Sequence, residues 1–203
     1  RFGIGFDQLL MVESATLKGV DFRYVIYNAD GSEVNQCGNG ARCFALYLQK
    51  NDLTNKSTIT VETNSGNLVL NINQDKSVRV EMGEPNFTPS EIPFITQAQE
   101  IEYTLEGQKM GVLSIRNPHA VIILNNINRE DIQGTATKLQ NSDCFPKSVN
   151  VGFMQILDRK EIILRVIERG VGETLACGSG ACAAVIHGIQ LGLLENKVLV
   201  HLR

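Results

Sequence analysis

Two cysteines of this chain are each followed by a short glycine turn. Cys37 begins the segment CGNGARC, and Cys177 begins the segment CGSGACA in the second half of the sequence. The residues after each turn have helical character, so both cysteines are predicted to lie at a helix entrance. The first N–H groups of a helix have no partner within it and carry partial positive charge. Such a position lowers the pKa of a cysteine and can also bind a carboxylate.

The duplication of this turn predicts a specific chemistry. If the two turns face one ligand from opposite sides, one cysteine can remove a proton from a carbon while the other returns a proton to the opposite face. This is two-base racemisation or epimerisation, and it requires one thiolate and one thiol at the start of turnover. Negative charge developing on a substrate carboxylate would be held by N–H groups of both turns. These groups belong to Gly38, Asn39, Gly178 and Ser179.

Two other interpretations of the cysteine segments are weaker. Buried cysteine is a common small core residue, and this is the role predicted for Cys43, Cys144 and Cys182. The glycine turns also resemble a degenerate dinucleotide-binding fingerprint, which needs a strand directly before the turn and a parallel crossover after it. The preceding segments, ADGSEVNQ and RGVGETLA, have poor strand character. This disfavours a dinucleotide site.

The composition is that of an ordinary globular protein. The 203 residues include 19 basic and 22 acidic side chains, for a formal net charge of −3. Because the basic residues form no run or stripe, no nucleic-acid binding is expected. No segment is typical of a signal peptide or a membrane span, so a soluble, cytoplasmic protein is expected. The five cysteines include no CxxC pair, so neither a disulfide framework nor a metal site is expected.

The elements that position the two cysteines are predicted to form two similar halves. TITVET, NLVLNIN and SVRVEMG alternate with the period of a half-buried strand, which predicts an antiparallel meander. The second half contains further strand-like segments, namely GVLSI, HAVIIL, GFMQIL, EIILRVIE and KVLVHL. We therefore predict an α+β fold with domains at residues 1–83 and 84–203, each an antiparallel sheet around one helix. The helix after Cys177 is apolar almost all round, which predicts burial on every side.

Six segments, in order along the chain, resemble the diaminopimelate epimerase family. They are FGIGFDQLL, NADGSEVNQCGNGARC, MGEPNF, NPHAV, NVGFMQ and ERGVGETLACGSGACAA. The resemblance implies two pseudo-symmetric domains, each a β-barrel-like sheet around a central helix, with the active site between them. It also implies interconversion of LL- and meso-2,6-diaminopimelate, a step towards lysine and peptidoglycan, without pyridoxal phosphate or metal. A homodimer is expected from the family alone.

The resemblance also assigns roles to individual positions. Cys37 and Cys177 would be the two acid/base residues, and Glu168 would contact a substrate ammonium. A substrate with two zwitterionic ends needs an arginine fork for a carboxylate and amides that can donate and accept. The positions that would bind the far end of the substrate are Asn28, Asn117, Asn150 and Arg169. The positions that would line the pocket are Gln8 and His119, and those at the reacting carboxylate are Gly38, Asn39, Gly178 and Ser179.

Structural interpretations compete at several of these positions. Asn28 precedes Ala-Asp-Gly and suits a turn, and Arg169 beside Glu168 suits a solvated surface pair. His187 and His201 are predicted to be structural. Family members extend beyond this chain at both ends, so each half is expected to be incomplete. A chain of only these residues would then have impaired activity and an open sheet edge.

Two alternative functions remain. A proline or hydroxyproline racemase on the same scaffold would also use paired cysteines, but Arg169 and the three asparagines would have no purpose for a substrate without a second amino-acid end. A non-catalytic amino-acid-binding protein is the alternative from a different class. Exchange of the substrate α-hydrogen would distinguish it from an enzyme.

Overall fold

The computed structural model describes residues 5–6, 8–34, 37–128 and 131–203. Positions 2–4, 7 and 35–36 of the quoted motifs lie outside these ranges. The chain divides into two compact units, Arg1–Gly83 and Glu84–Arg203. The division falls directly before the proline-containing connection EPNFTPSEIP, which forms a short 3-10 turn at Pro89–Glu91.

The first unit is a five-stranded sheet with one helix. Its elements are β1 (Gln8–Ser14), β2 (Phe22–Asn28), α1 (Gly38–Lys50), β3 (Thr58–Thr63), β4 (Gly66–Ile72) and β5 (Val78–Glu81). The strands lie in sequence order across the sheet. β2 and β3 run parallel, whereas the other neighbouring pairs are antiparallel. The predicted meander thus corresponds to β3, β4 and β5.

The core of the first unit lies between α1 and one face of the sheet. Ala41, Phe44, Ala45 and Leu48 recur at helical spacing and are almost fully buried. They pack against the alternate residues of β2, β3 and β4, and the rings of Tyr24 and Phe44 lie 4.7 Å apart. This packing fixes the direction of α1, and therefore the position of its first turn.

The second unit is a larger sheet with two helices. Its elements are β6 (Tyr103–Leu105), β7 (Gln108–Ser114), β8 (Pro118–Ile123), α2 (Ile132–Gln140), β9 (Asn150–Asp158), β10 (Glu161–Glu168), β11 (Gly172–Thr174), α3 (Gly178–Gln190) and β12 (Leu199–His201). The strand order is β11-β10-β9-β8-β7-β6, and β12 pairs with β10. The pairs β8–β9 and β10–β12 are parallel.

The two helices of this unit contact opposite faces of its sheet. Ile132, Ala136 and Leu139 of α2 join the large cluster that includes Phe94 and Phe145. On the other face, the ring of His187 in α3 lies against Gly111 of β7. His119 and Asn150 are paired in register on β8 and β9, on the same face as Gly111. Their side chains therefore lie on the α3 side of the sheet.

The sheets differ from the prediction in being mixed rather than purely antiparallel. α1 connects β2 to β3 and α2 connects β8 to β9, and a helical crossover allows the two flanking strands to run parallel. The described strands do not close into a barrel. The sequence did not predict α2 because its core face has only three apolar residues, separated by polar ones.

Two burial predictions were wrong in detail. α3 buries one face, but Ala181, Cys182, Val185 and Ile186 remain half-exposed. Cys43 is exposed on α1, because it falls between the buried positions of that helix. None of the helices in the described part of the chain has the length and apolar character needed to cross a membrane.

Candidate active site at two helix starts

Cys37 is the N-cap residue of α1. Its backbone is extended, with φ −141° and ψ 106°, and its sulfur accepts a hydrogen bond from the N–H of Gly40 at 3.3 Å. The N–H of Ala41 makes the first intrahelical bond, to the carbonyl of Cys37. The N–H groups of Gly38 and Asn39 therefore precede the intrahelical ladder, as expected for an anion-binding turn.

Cys177 has the same position at the start of α3. Its φ and ψ are −130° and 110°, and its sulfur accepts from the N–H of Gly180 at 3.4 Å. Ala181 makes the first bond to the carbonyl of Cys177. The N–H groups of Gly178 and Ser179 precede this bond. Each unit thus contains a cysteine that caps a helix through its own sulfur.

The pKa of Cys177 departs from the expected direction. Burial, together with the charge of the adjacent Glu168 carboxylate and a hydrogen bond to it, raises the pKa of this thiol to about 11. Hydrogen bonds from Ser179 and Gly180 act in the opposite direction but do not compensate. The prediction of a lowered pKa from the helix start alone was therefore wrong for Cys177, because desolvation exceeds the effect of the helix terminus. Cys177 is a thiol at neutral pH.

A chain of hydrogen bonds runs from Cys177 to the sheet. The hydroxyl of Ser179 lies 3.5 Å from the Cys177 sulfur and accepts from the side-chain amide of Asn117 at 3.2 Å. The carbonyl oxygen of Asn117 lies 3.0 Å from Nε2 of His119. Burial, together with the charge of Arg169, lowers the pKa of His119 to about 3. The ring is therefore neutral and donates from Nε2, while its buried Nδ1 has no hydrogen-bond partner among the described residues.

Asn150 and Arg169 lie beside this chain. The buried Asn150 side chain accepts from the backbone N–H of Arg169 at 3.0 Å and donates to the carbonyl of Pro118, also at 3.0 Å. The guanidinium of Arg169 is exposed and donates to the carbonyl of Lys147 at 2.8 Å. Asn150 therefore holds the end of β10, where Glu168 and Arg169 are located, against β8.

In the first unit, Gln8 and Asn28 form a pair at the open edge of the sheet. They are opposite each other in the register of β1 and β2, and the Gln8 amide donates to Asn28 at 3.2 Å. Asn28 also donates to the Ser32 hydroxyl at 3.1 Å. Its backbone N–H bonds the Ser32 carbonyl, so Asn28 has the predicted turn role and its side-chain amide bonds both Gln8 and Ser32.

The second unit brings together every site residue predicted within it. They are Asn117, His119, Asn150, Glu168, Arg169, Cys177, Gly178 and Ser179. The sequence analysis missed Thr174, whose hydroxyl donates to Glu168 at 2.6 Å. It also missed the Arg165–Glu173 ion pair that holds the same hairpin. The segment RVIERGVGET, residues 165–174, contains all four of these residues and was the available signal. Among the described residues, no cluster of His, Cys, Asp and Glu could hold a metal ion.

Comparison with known families identifies the family of this chain. The model of one family, diaminopimelate epimerase, matches residues 1–88 and 112–203. The chain belongs to the diaminopimelate epimerase family. The predicted resemblance to this family and the predicted enzyme class, an isomerase, are thereby confirmed.

Individual members of the family are close in sequence. The diaminopimelate epimerase of Vesicomyosocius okutanii subsp. Calyptogena okutanii (strain HA) is 54% identical over 201 residues, covering 99% of this chain and 74% of the relative. The diaminopimelate epimerase of Acinetobacter baumannii (strain AYE) is 50% identical over 207 residues, covering 100% and 74%. This epimerase-family chain thus spans about three quarters of these relatives.

Solved structures of low identity support the fold class. A probable proline racemase from Agrobacterium radiobacter K84 matches with a TM-score of 0.67 at 13% identity, covering 93% of this chain and 62% of that one. A phenazine biosynthesis protein of the PhzF family from Bacillus anthracis matches with a TM-score of 0.61 at 16% identity, covering 91% and 66%. The chain spans less than two thirds of these structures. The likeness confirms the epimerase-like fold and nothing finer.

Proposed function

We propose that this protein interconverts LL- and meso-2,6-diaminopimelate by a two-base mechanism with Cys37 and Cys177 as acid and base. The observation that carries the proposal is the repeated cap, in which each cysteine sulfur accepts from the glycine N–H three residues further on. The sequence identity of 54% to a diaminopimelate epimerase supports the substrate. The reaction would supply precursors of lysine and peptidoglycan.

Protonation states give the two cysteines different starting roles. Burial and Glu168 keep Cys177 protonated at neutral pH, so Cys177 enters one direction of turnover as the acid. Cys37 is then the base that takes the α-proton, and the roles exchange for the reverse direction. As negative charge develops on the substrate carboxylate, the N–H groups of Gly38, Asn39, Gly178 and Ser179 stabilise it.

Recognition of the second amino-acid end is proposed for the polar side chains near the cysteines. Arg169 carries an exposed guanidinium, which suits a carboxylate, and the side-chain amides of Asn117 and Asn150 lie beside the start of α3 and the end of β10. Glu168 provides a carboxylate for an ammonium. In the first unit, Gln8 and Asn28 provide the corresponding amides.

The proposal also covers the domains, the oligomeric state and the location of the protein. We place the two units as the two domains of the epimerase, in a cytoplasmic homodimer. Sedimentation equilibrium tests the dimer directly, since a mass near that of one chain at micromolar concentration contradicts it.

Incubation with LL-diaminopimelate in heavy water tests the function. The two-base mechanism predicts solvent deuterium only at the inverted carbon, with meso product appearing in parallel, both measured by NMR and mass spectrometry. Proline and hydroxyproline serve as control substrates and are expected to show no exchange. Binding of diaminopimelate without exchange at any carbon would instead indicate a binding protein, and exchange with proline would indicate a racemase.

A further inference from the structure

In the second unit, a short hairpin lies between the Glu168 carboxylate and the Cys177 thiol. β11 pairs antiparallel with the end of β10, so that Thr174 lies opposite Val166 and Gly172 lies opposite Glu168. Gly170 and Gly172 have φ of +75° and +94°, a region that favours glycine, and they close the turn. The hairpin therefore returns the chain from Glu168 towards the start of α3.

The side chains of this hairpin have distinct faces. Val166, Glu168 and Thr174 share one face, because paired residues and residues two apart in a strand point to the same side. The α3 helix lies on this face, since a Cβ added at Gly180 would lie 3.0 Å from the Val166 side chain. The hydroxyl of Thr174 donates to Oε1 of Glu168 at 2.6 Å.

An ion pair holds the opposite face of the hairpin. Nε and Nη2 of Arg165 donate to the two carboxylate oxygens of Glu173 at 2.7 and 3.0 Å. Such a two-point contact fixes the relative orientation of the two side chains as well as their separation. Because Glu173 directly precedes Thr174, the pair holds Thr174 in register against β10 and limits where its hydroxyl can point.

We propose that Thr174 is a positioning residue for the Cys177 acid/base centre. Its hydroxyl fixes the Glu168 carboxylate on the face of the hairpin that α3 covers, beside the helix start at Cys177. The Glu168 carboxylate in turn raises the pKa of that thiol. The catalytic meaning of this inference rests on the proposed function, whereas the predicted change in the pKa of the Cys177 thiol does not. The charged and titratable groups around Glu168 are Cys177 at the start of α3 and Arg169, the next residue in the chain, whose charge also acts on the neutral His119.

The loss of the hydroxyl has a defined consequence. In Thr174→Val, which keeps the branched shape that suits a strand, the Glu168 carboxylate loses its donor and turns towards solvent. The charge of Glu168, which raises the pKa of Cys177, is then removed from the thiol. We expect the pH midpoint of Cys177 alkylation to fall by about 0.5 to 1 unit, and epimerisation to slow by about tenfold because the acid is misplaced.

Alkylation by iodoacetamide as a function of pH measures this midpoint on the full chain. Peptide fragmentation by mass spectrometry separates Cys177 from Cys182. Thr174→Ser keeps the hydroxyl and is expected to retain the wild-type midpoint. An unchanged midpoint in Thr174→Val would overturn the proposal. A higher midpoint would also overturn it. It would mean that the Glu168 carboxylate stays beside Cys177 without the Thr174 hydroxyl, and that its negative charge raises the pKa of the thiol more strongly.

A double-mutant cycle separates positioning from a general structural role. If Thr174 acts through Glu168, Thr174→Val should not change the midpoint further in a Glu168→Gln background. An equal shift in both backgrounds would contradict the proposal, even if the valine variant were less stable. The alkylation assay needs no turnover, so a failure of the proposed function, seen as no deuterium exchange by the wild type, remains distinguishable.

Discussion

The side-chain amide of Asn117 donates a hydrogen bond to the hydroxyl of Ser179 across 3.2 Å. This contact joins the turn before β8 to the first turn of α3. Because the Ser179 oxygen accepts from the amide, its own proton is directed to another acceptor, and the sulfur of Cys177 lies 3.5 Å away. A hydroxyl that donates to a thiolate stabilises the charged form, and Ser179 accordingly lowers the pKa of Cys177.

Replacement of Ser179 by alanine should therefore raise the alkylation midpoint of Cys177. We expect a rise of about 0.5 unit or more, since one hydrogen bond to the thiolate is lost. Ser179→Thr keeps the hydroxyl and serves as the matched control. A midpoint in the alanine variant equal to that of the wild type would show that the Ser179 proton is directed elsewhere.

The two cysteines should be separately essential for inversion. Cys37→Ala and Cys177→Ala each remove one of the two proton-transfer groups, so epimerisation should fall by at least about a hundredfold. Meso product formed from LL-diaminopimelate, followed by NMR, measures the loss. Cys43→Ala is the matched control, since Cys43 is exposed on the same helix that Cys37 caps.

Circular dichroism should show that all three cysteine variants remain folded. Each mutated side chain is small, and neither cap cysteine is a large contributor to the core. Near-wild-type inversion by either cap variant would contradict the acid/base assignment. A large loss of inversion in Cys43→Ala would also contradict it, because it would assign the proton transfer to Cys43 instead of Cys37.

The sequence predicted the two helix starts better than the sheets around them. The cysteine turns were recognisable because a cap residue followed by glycines is a local signal, and both helices begin at the residue after the cysteine. The parallel pairing of β8 with β9 depends on α2, whose alternation of polar and apolar residues is weak. The pKa of Cys177 depends on burial by residues distant in sequence, which no local pattern contains.

Buried histidines should make stability depend on pH. Burial lowers the pKa of His187, as it lowers that of His119 to about 3. Both histidines take up a proton in the unfolded chain below the ordinary histidine pKa of about 6.5, whereas in the folded chain protonation requires a lower pH. The contribution of these histidines to the free energy of unfolding is therefore fully present above about pH 6.5 and falls as the pH decreases, by about 2 kcal/mol for His119 at pH 5.

Urea unfolding at pH 7.5 and at pH 5.0 measures this loss, in a range above the titration of most carboxyl groups. His187→Gln should reduce the difference between the two pH values, whatever it does to stability at either one. His201→Gln is the control, because His201 is exposed and contacts Glu161. An identical pH difference in the wild type and His187→Gln would contradict the prediction.

The close contact between α3 and β7 should make Gly111 intolerant of a side chain. An alanine Cβ at this position would lie 2.2 Å from Nδ1 of His187 and 2.4 Å from Cε1. The histidine is almost fully buried, so its ring has little room to move. Gly111→Ala should therefore lower the free energy of unfolding by about 1 to 3 kcal/mol, measured by urea titration.

Gly152→Ala provides the matched control for this clash. Gly152 lies in β9 on the same face of the same sheet, aligned with Gly111 through Val121 of β8. The nearest atom to an added Cβ there is 3.5 Å away, in the Leu164 side chain, which is an ordinary contact. We expect this variant to be as stable as the wild type or slightly more stable, because alanine restricts the unfolded chain. Equal losses in the two variants would mean that strand glycines, and not the His187 ring, determine the cost.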